Sequence, residues 1–224
     1  MKYLFIILWM APGFTNLSAQ TTVKPASMAF LSKLEKEVLI ELNRVRSDPK
    51  NYAKYVKQMM KYYEGNIIQY PGEIAIMTNE GLSAAKECYE FLMASEPLDT
   101  LRPSRGLSLA AKDHADDQGE TSETGHTGRD RSSPFDRIER YGQWLSTAGE
   151  NIDYGNDDAR RIVLSLIIDD GVPTRGHRTN IFNPQFKAAG IACGPHQKYR
   201  HMCVIDLAGG FKAKKTGMTT RGEE

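Results

Sequence analysis

Apolar residues recur every three or four positions from Ser27 onward, at Leu31, Leu34, Val38, Leu42 and Val45. That period predicts a helix with one buried face. Asp48-Pro49 stops it, because proline disfavours helical backbone in the residue before it. A second, tyrosine-rich helical stretch runs from about Asn51 to Tyr63. The run "EGNIIQYPGEIAIM" carries no regular period and reads as an irregular connection, followed by a helix from about Glu80 to Ser95. Ser108 is a candidate N-cap for a helix carrying Leu109, Ala111 and His114. Ser133-Pro134 starts the next helix, with proline in the first turn, where its missing N–H costs nothing, and Gly142 ends it. "AGENIDYG" is short enough for a strand, and Asp157 or Asp158 caps "ARRIVLSLIIDD".

The last third changes character. "KAAGIAC" and "YRHMCVIDLAG" are strand-like, joined by a Gly-Pro turn. Helices come early and strands late, which favours an α+β fold over a βαβ repeat. The tail from residue 213 to 224 has no apolar pattern and is expected to be disordered.

The first residues stand apart. Lys2 precedes an unbroken apolar run, Tyr3 to Met10, too short to span a bilayer, and Leu17-Ser18-Ala19 ends in a small residue. Residues 1–19 read as a secretory signal cleaved near Ala19, with 20–27 as a linker. The mature protein is then expected to be secreted or periplasmic, with no integral membrane segment. Losing Lys2 takes the net charge from +1 to 0. A neutral monomer has little electrostatic reason to bind nucleic acid.

Export permits disulfides. Cys193 and Cys203 flank "GPHQKYRHM" and would face each other in a hairpin centred near Lys198; the alternative is two buried free thiols. Cys88, in "AAKECYEFLM", reads as a buried inert thiol.

The chain has no G-x-x-x-x-G-K, H-E-x-x-H, C-x-x-C or G-x-S-x-G, so several nucleotide, zinc and hydrolase devices lose support. What remains are polar residues in glycine-rich corners: His126 in "TGHTG", Glu150 in "AGENI" and His177 in "RGHR". Asp169 and Asp170 close an apolar helix, where acids oppose the helix dipole. Something should offset them: a cation, a histidinium, or Arg175 and Arg178.

"GHTGRDRSSPFDRI", "GENI" and "GHRTNIFNPQFKAAGIA", in that order, resemble the CAP superfamily. This is the SCP domain of cysteine-rich secretory proteins, antigen 5 and pathogenesis-related-1 proteins, and the likeness is to its bacterial secreted branch. "LIELNRVRSDP" matches the family's first helix, and the resemblance covers about residues 28–212. It implies a three-layer α–β–α sandwich with a central, mainly antiparallel sheet. It also implies a cleft lined by two histidines and two acids. Carried over, His126 and His177 face each other with Glu150 between. The second acid is Asp169 or Asp170, where the family often has a glutamate shortly after a tryptophan. His114, His196 and His201 match no family ligand and read as surface or locally bonded.

Two imidazoles and carboxylates suit Zn²⁺ or another divalent cation, either as ligands or with the acids orienting the rings. Imidazole binds metal in its neutral form, so occupancy of such a site falls as pH drops below about 6.5. The resemblance implies a non-catalytic binding module whose further ligand is a small apolar molecule or a protein. A metal-dependent, peptidase-like hydrolase is the alternative, and an interaction protein with a vestigial cleft a third.

Overall fold

The computed structural model describes residues 28–214. The signal segment, the linker and all of the tail beyond residue 214 lie outside the described residues. Helix α1 (Lys33–Ser47) opens with a reciprocal cap between Ser32 and Glu35. It gives way at once to α2 (Pro49–Met59): Asp48 both ends α1 and caps α2, and Pro49 sits at the first turn of the new helix. The second helix thus begins before Asn51 and finishes earlier than Tyr63, in a single 3₁₀ turn over residues 60–62.

The segment expected to be irregular forms a small antiparallel sheet of β1 (Tyr63–Glu64), β2 (Ile67–Ile68) and β3 (Ile76–Met77). Strands of two residues are too short to show a period. Helix α3 (Leu82–Ala94) follows as expected, then β4 (Arg102–Pro103). Helix α4 (Arg105–Gly119) starts a turn earlier than Ser108 suggested, because Ser104 caps it. Ser108 lies inside the helix, and its hydroxyl accepts the Ile191 N–H at 2.9 Å. Helix α5 (Pro134–Tyr141), β5 (Gly142–Trp144), β6 (Ala148–Tyr154), α6 (Ala159–Ile168) and α7 (Gly176–Ile181) lead to the hairpin of β7 (Ala188–His196) and β8 (Arg200–Ala208). Gly194-Pro195 belongs to β7, and the reversal falls at residues 197–199. A last strand, β9 (Phe211–Ala213), pairs with β5, so order extends just past the expected start of the tail.

The central sheet has the order β4-β7-β8-β6, antiparallel except where β4 runs parallel to β7. Alternation along β7 and β8 sends side chains to two helical layers. Ile191, Cys203, Ile205 and Leu207 join the core built by α1, α2, α3 and α6. Ala192, Met202 and Val204 meet Ala111 and Ala115 of α4 on the other face. The result is the three-layer α–β–α sandwich. Neither face of the sheet is open to water.

Alanines at 110, 111 and 115 let α4 lie close on the sheet. At Gly190 the approach is so near that a Cβ would sit 2.1 Å from the Leu107 carbonyl carbon and the Ser108 nitrogen. Both neighbours are backbone and cannot step aside. Gly190→Ala is therefore expected to destabilise the fold by about 3 kcal/mol, measured by urea denaturation. Cys193 and Cys203 face each other in register with Cα atoms 4.0 Å apart and form the disulfide; Cys88 is free and buried. Replacing both bridged cysteines by serine should cost roughly 2–3 kcal/mol, the value for so short a closed loop, read from the same denaturation curves.

Candidate functional site

Strand β6 is an edge of the central sheet, and its residues alternate between the two helical layers. Glu150 pairs across with Asp206, and Ile152 with Val204, so both face the α4 layer. Asn151 faces the opposite layer, where its amide donates to the His177 carbonyl at 3.0 Å and accepts from Asn180 at 2.8 Å. The site wraps this edge strand, taking one half from each layer.

The first half is His126, in the loop after α4. Its Nδ1 lies 2.8 Å from Glu150 Oε1. Glu150 Oε2 accepts from Arg137 Nη2 at 2.8 Å, and the same nitrogen donates to the His126 carbonyl at 3.1 Å. Arg137, on α5, also donates to the Ser132 carbonyl at 2.9 Å. One guanidinium thus fixes the loop and the acid together. Its ion pair with Glu150 is almost wholly shielded from water.

The second half is His177, at the start of α7. Its Nδ1 lies 2.6 Å from Asp169 Oδ1, and its backbone N–H donates to Asp169 Oδ2 at 2.8 Å. Asp169 ends α6 in the left-handed conformation, φ 57°. Aspartate tolerates that region better than most residues. The turn carries its carboxylate away from the α6 carbonyls and onto the first N–H groups of α7, so the conflict with the α6 dipole is relieved. The last α6 carbonyls go to arginines instead. Arg178 donates to the carbonyls of Ile167 and Ile168, and Arg175 to that of Asp169.

Asp170 does not line the site. Its oxygens accept the backbone N–H groups of Asn79 and Glu80, both at 2.7 Å, and cap the turn before α3. Of the two candidate aspartates, Asp169 is the one brought to the histidines. Nor does Glu150 stand between the rings: each imidazole has its own acid, Glu150 for His126 and Asp169 for His177. The ring centroids are 6.5 Å apart with planes tilted by 38°.

A carboxylate only accepts, so each Nδ1 carries the hydrogen, and a neutral ring then keeps its lone pair at Nε2. Neither Nε2 has a protein partner among the described residues. Among those residues, no three His, Cys, Asp or Glu side chains are grouped to hold a metal ion. With Zn–N bonds of about 2.1 Å, two rings sharing one ion have centroids roughly 5–6 Å apart, so this pair is slightly open. The other histidines are bonded locally or exposed. His114 Nε2 lies 2.8 Å from the Gly125 carbonyl, His196 Nε2 lies 2.8 Å from that of Glu123, and His201 is on the surface.

The family model for CAP, the cysteine-rich secretory protein family, matches residues 39–207. This chain belongs to the CAP family. The protein YkwD of Bacillus subtilis (strain 168) is 29% identical over 109 residues, 47% of this chain and 40% of that protein. The chain thus matches well under half the length of that relative. Two solved structures are similar. An outer surface protein from Borrelia burgdorferi is 22% identical with a TM-score of 0.42, covering 52% of this chain and 80% of that one. An extracellular protein containing a SCP domain from Bacillus anthracis str. Ames is 19% identical with a TM-score of 0.40, covering 57% of this chain and 37% of that one. No helix among the described residues of the CAP domain is long and apolar enough to cross a membrane.

The CAP domain also buries a residue that sequence reasoning passed over. Asp206, opposite Glu150 on β8, is wholly inaccessible, and neither of its oxygens receives a hydrogen bond. Burial, then the charge of Glu150, push its pKa well above the usual aspartate range, against the pull of Arg137. A proton kept on Asp206 relieves both problems, since it removes one of two adjacent charges and supplies a donor. The folded protein therefore holds this proton more tightly than the unfolded chain. Its stabilising contribution is complete below the unfolded pKa, about 3.9, and is lost as pH rises towards the folded value. Asparagine mimics the protonated acid and does not titrate. Asp206→Asn is expected to gain on the wild type between pH 4 and pH 7, by up to about 1.4 kcal/mol per pH unit, in urea denaturation at the two pH values. An unchanged difference would mean that Asp206 is charged in the fold.

Proposed function

We propose that this CAP domain binds a divalent cation, Zn²⁺ first among them, through Nε2 of His126 and Nε2 of His177, as a binding module without catalysis. The observation that carries the reading is the pair of carboxylate-anchored imidazoles. Each Nδ1–H is held by a buried acid, each Nε2 is left for a ligand, and the rings lie across one edge strand. A metal-bound histidine ordinarily hands its other N–H to a carboxylate in this way. Glu150 and Asp169 then orient the rings, and water or a further ligand completes the shell. The metal would supply a Lewis-acidic point at the mouth of the site. In this reading the protein acts outside the cytoplasm, in keeping with its leader-like first residues and with the outer-surface and extracellular character of the Borrelia and Bacillus anthracis proteins.

Zinc titration by calorimetry tests it. The wild type should bind one ion per chain, and His126→Ala/His177→Ala should lose that binding. Glu150→Gln and Asp169→Asn, which keep the shape and weaken the anchor, should bind about 10–100-fold more weakly. Equal zinc binding by the wild type and the double-alanine variant would overturn the proposal.

A further inference from the structure

The tyrosine-rich stretch of α2 has no part in the histidine site. It forms one wall of a groove of about 750 Å³ between α1, α2 and the start of α6. This is within the range of small-molecule sites, about 300–1,000 Å³. Asp158 caps α6 at the groove, and Asp169 ends the same helix at the histidine site. Ten helical residues, about 15 Å, therefore separate the two places.

The floor is a built polar network. Glu41 is 4% exposed and accepts from Tyr52, Arg44 and Arg160. Burial works to raise the pKa of Glu41, but the bonds from Arg160, Tyr52 and Arg44 outweigh it and hold it below the usual range. Arg160 lies over the Tyr55 ring, 3.9 Å from its centroid. On the other side Arg161 lies 4.4 Å from the Tyr70 centroid and makes two bonds to Glu73. Tyr62 packs against Tyr70 with centroids 4.9 Å apart, and it is exposed.

These pairings select the ligand. Each arginine already faces a carboxylate, so an anion would be opposed by acids in place. An apolar ligand would strip water from guanidinium and carboxylate groups and return no hydrogen bonds. A neutral polyhydroxylated molecule meets neither objection. Its hydroxyls both donate and accept, matching carboxylate oxygens beside guanidinium N–H groups. The C–H face of a sugar ring suits the negative face of an exposed tyrosine. The geometry points to a second binding site, in which the groove at Tyr55, Tyr62, Tyr70, Arg44, Arg160 and Arg161 takes a neutral oligosaccharide.

The test is a ¹H–¹⁵N NMR titration of the full protein with chitotetraose, cellotetraose and maltotetraose, with anionic tetragalacturonate for comparison. At least one neutral sugar should give saturable shifts centred on Tyr62, Tyr70 and Arg160, with a Kd of about 1 mM or tighter. Tyr62→Ala should weaken that binding about tenfold with an unchanged melting temperature, and Tyr62→Phe, which keeps the ring, should restore it. His126→Ala/His177→Ala should bind the sugar as the wild type does, so the groove stands or falls apart from the zinc reading. The inference is overturned if none of the three neutral sugars shifts the groove at about 10 mM, ten times the expected Kd. It is overturned equally if tetragalacturonate binds tightest, or if Tyr62→Ala binds unchanged.

Discussion

The site depends on a buried ion pair, Arg137 with Glu150. Taking both charges out of water costs several kcal/mol per ion, and their attraction offsets this only when every remaining donor and acceptor is used. The Arg137 Nη atoms are used well: they hold Ser132 and His126, both in the loop between α4 and α5, and Glu150 of the central sheet. The cost of burial thus secures the position of His126, which sits on a loop and has no helix of its own. Arg137 Nε, like both Asp206 oxygens and His114 Nδ1, lacks a partner. These orphaned atoms belong to residues whose charges act on one another around Glu150. The polar centre under His126 is therefore tuned by protonation as well as by geometry.

The other half of the site is positioned by a different device. Asp169 and Arg175 both adopt the left-handed conformation, at φ 57° and 51°, and bracket the turn between α6 and α7. Arg175 is held by Glu80 and Glu87 and in turn holds the Asp169 carbonyl. Asp170, one residue on, pins the same turn to Asn79 and Glu80. Adjacent acids thus divide the work: Asp169 faces the imidazole, and Asp170 fastens the turn that aims it.

Much of this was legible in the sequence where local chemistry decides. Ser133-Pro134, Asp158 and the Cys193–Cys203 hairpin behave as their residue types dictate, since a cap or a register pair needs only near neighbours. His126, Glu150 and His177 came from family likeness, and the coordinates bring all three to one edge strand. Asp206 was missed because "CVIDLAG" looks like ordinary alternation, in which an aspartate points to water. The available signal was indirect. A strand between two helical layers has no wet face, so an acid on it is buried and must be either paired or protonated. Ser108 misled for a related reason: its hydroxyl serves the neighbouring strand at Ile191, a tertiary contact that local sequence does not show.

The bonds already made by the two acids limit how many groups a metal could recruit. Glu150 spends Oε1 on His126 and Oε2 on Arg137, and Asp169 spends Oδ1 on the His177 ring and Oδ2 on its backbone. Pulling Glu150 onto a cation would leave the buried Arg137 guanidinium unpaired, a loss of about 1–3 kcal/mol or more, and pulling Asp169 would release the His177 N–H groups it holds. Of the two roles the sequence leaves open for the acids, ligand or orienter of the rings, these bonds favour the second, with two half-sites that are each an imidazole with a committed acid. In the proposed reading, an ion held between them would have two protein donors and an open remainder. Such a remainder is where a carbonyl, carboxylate or water from outside the chain would enter.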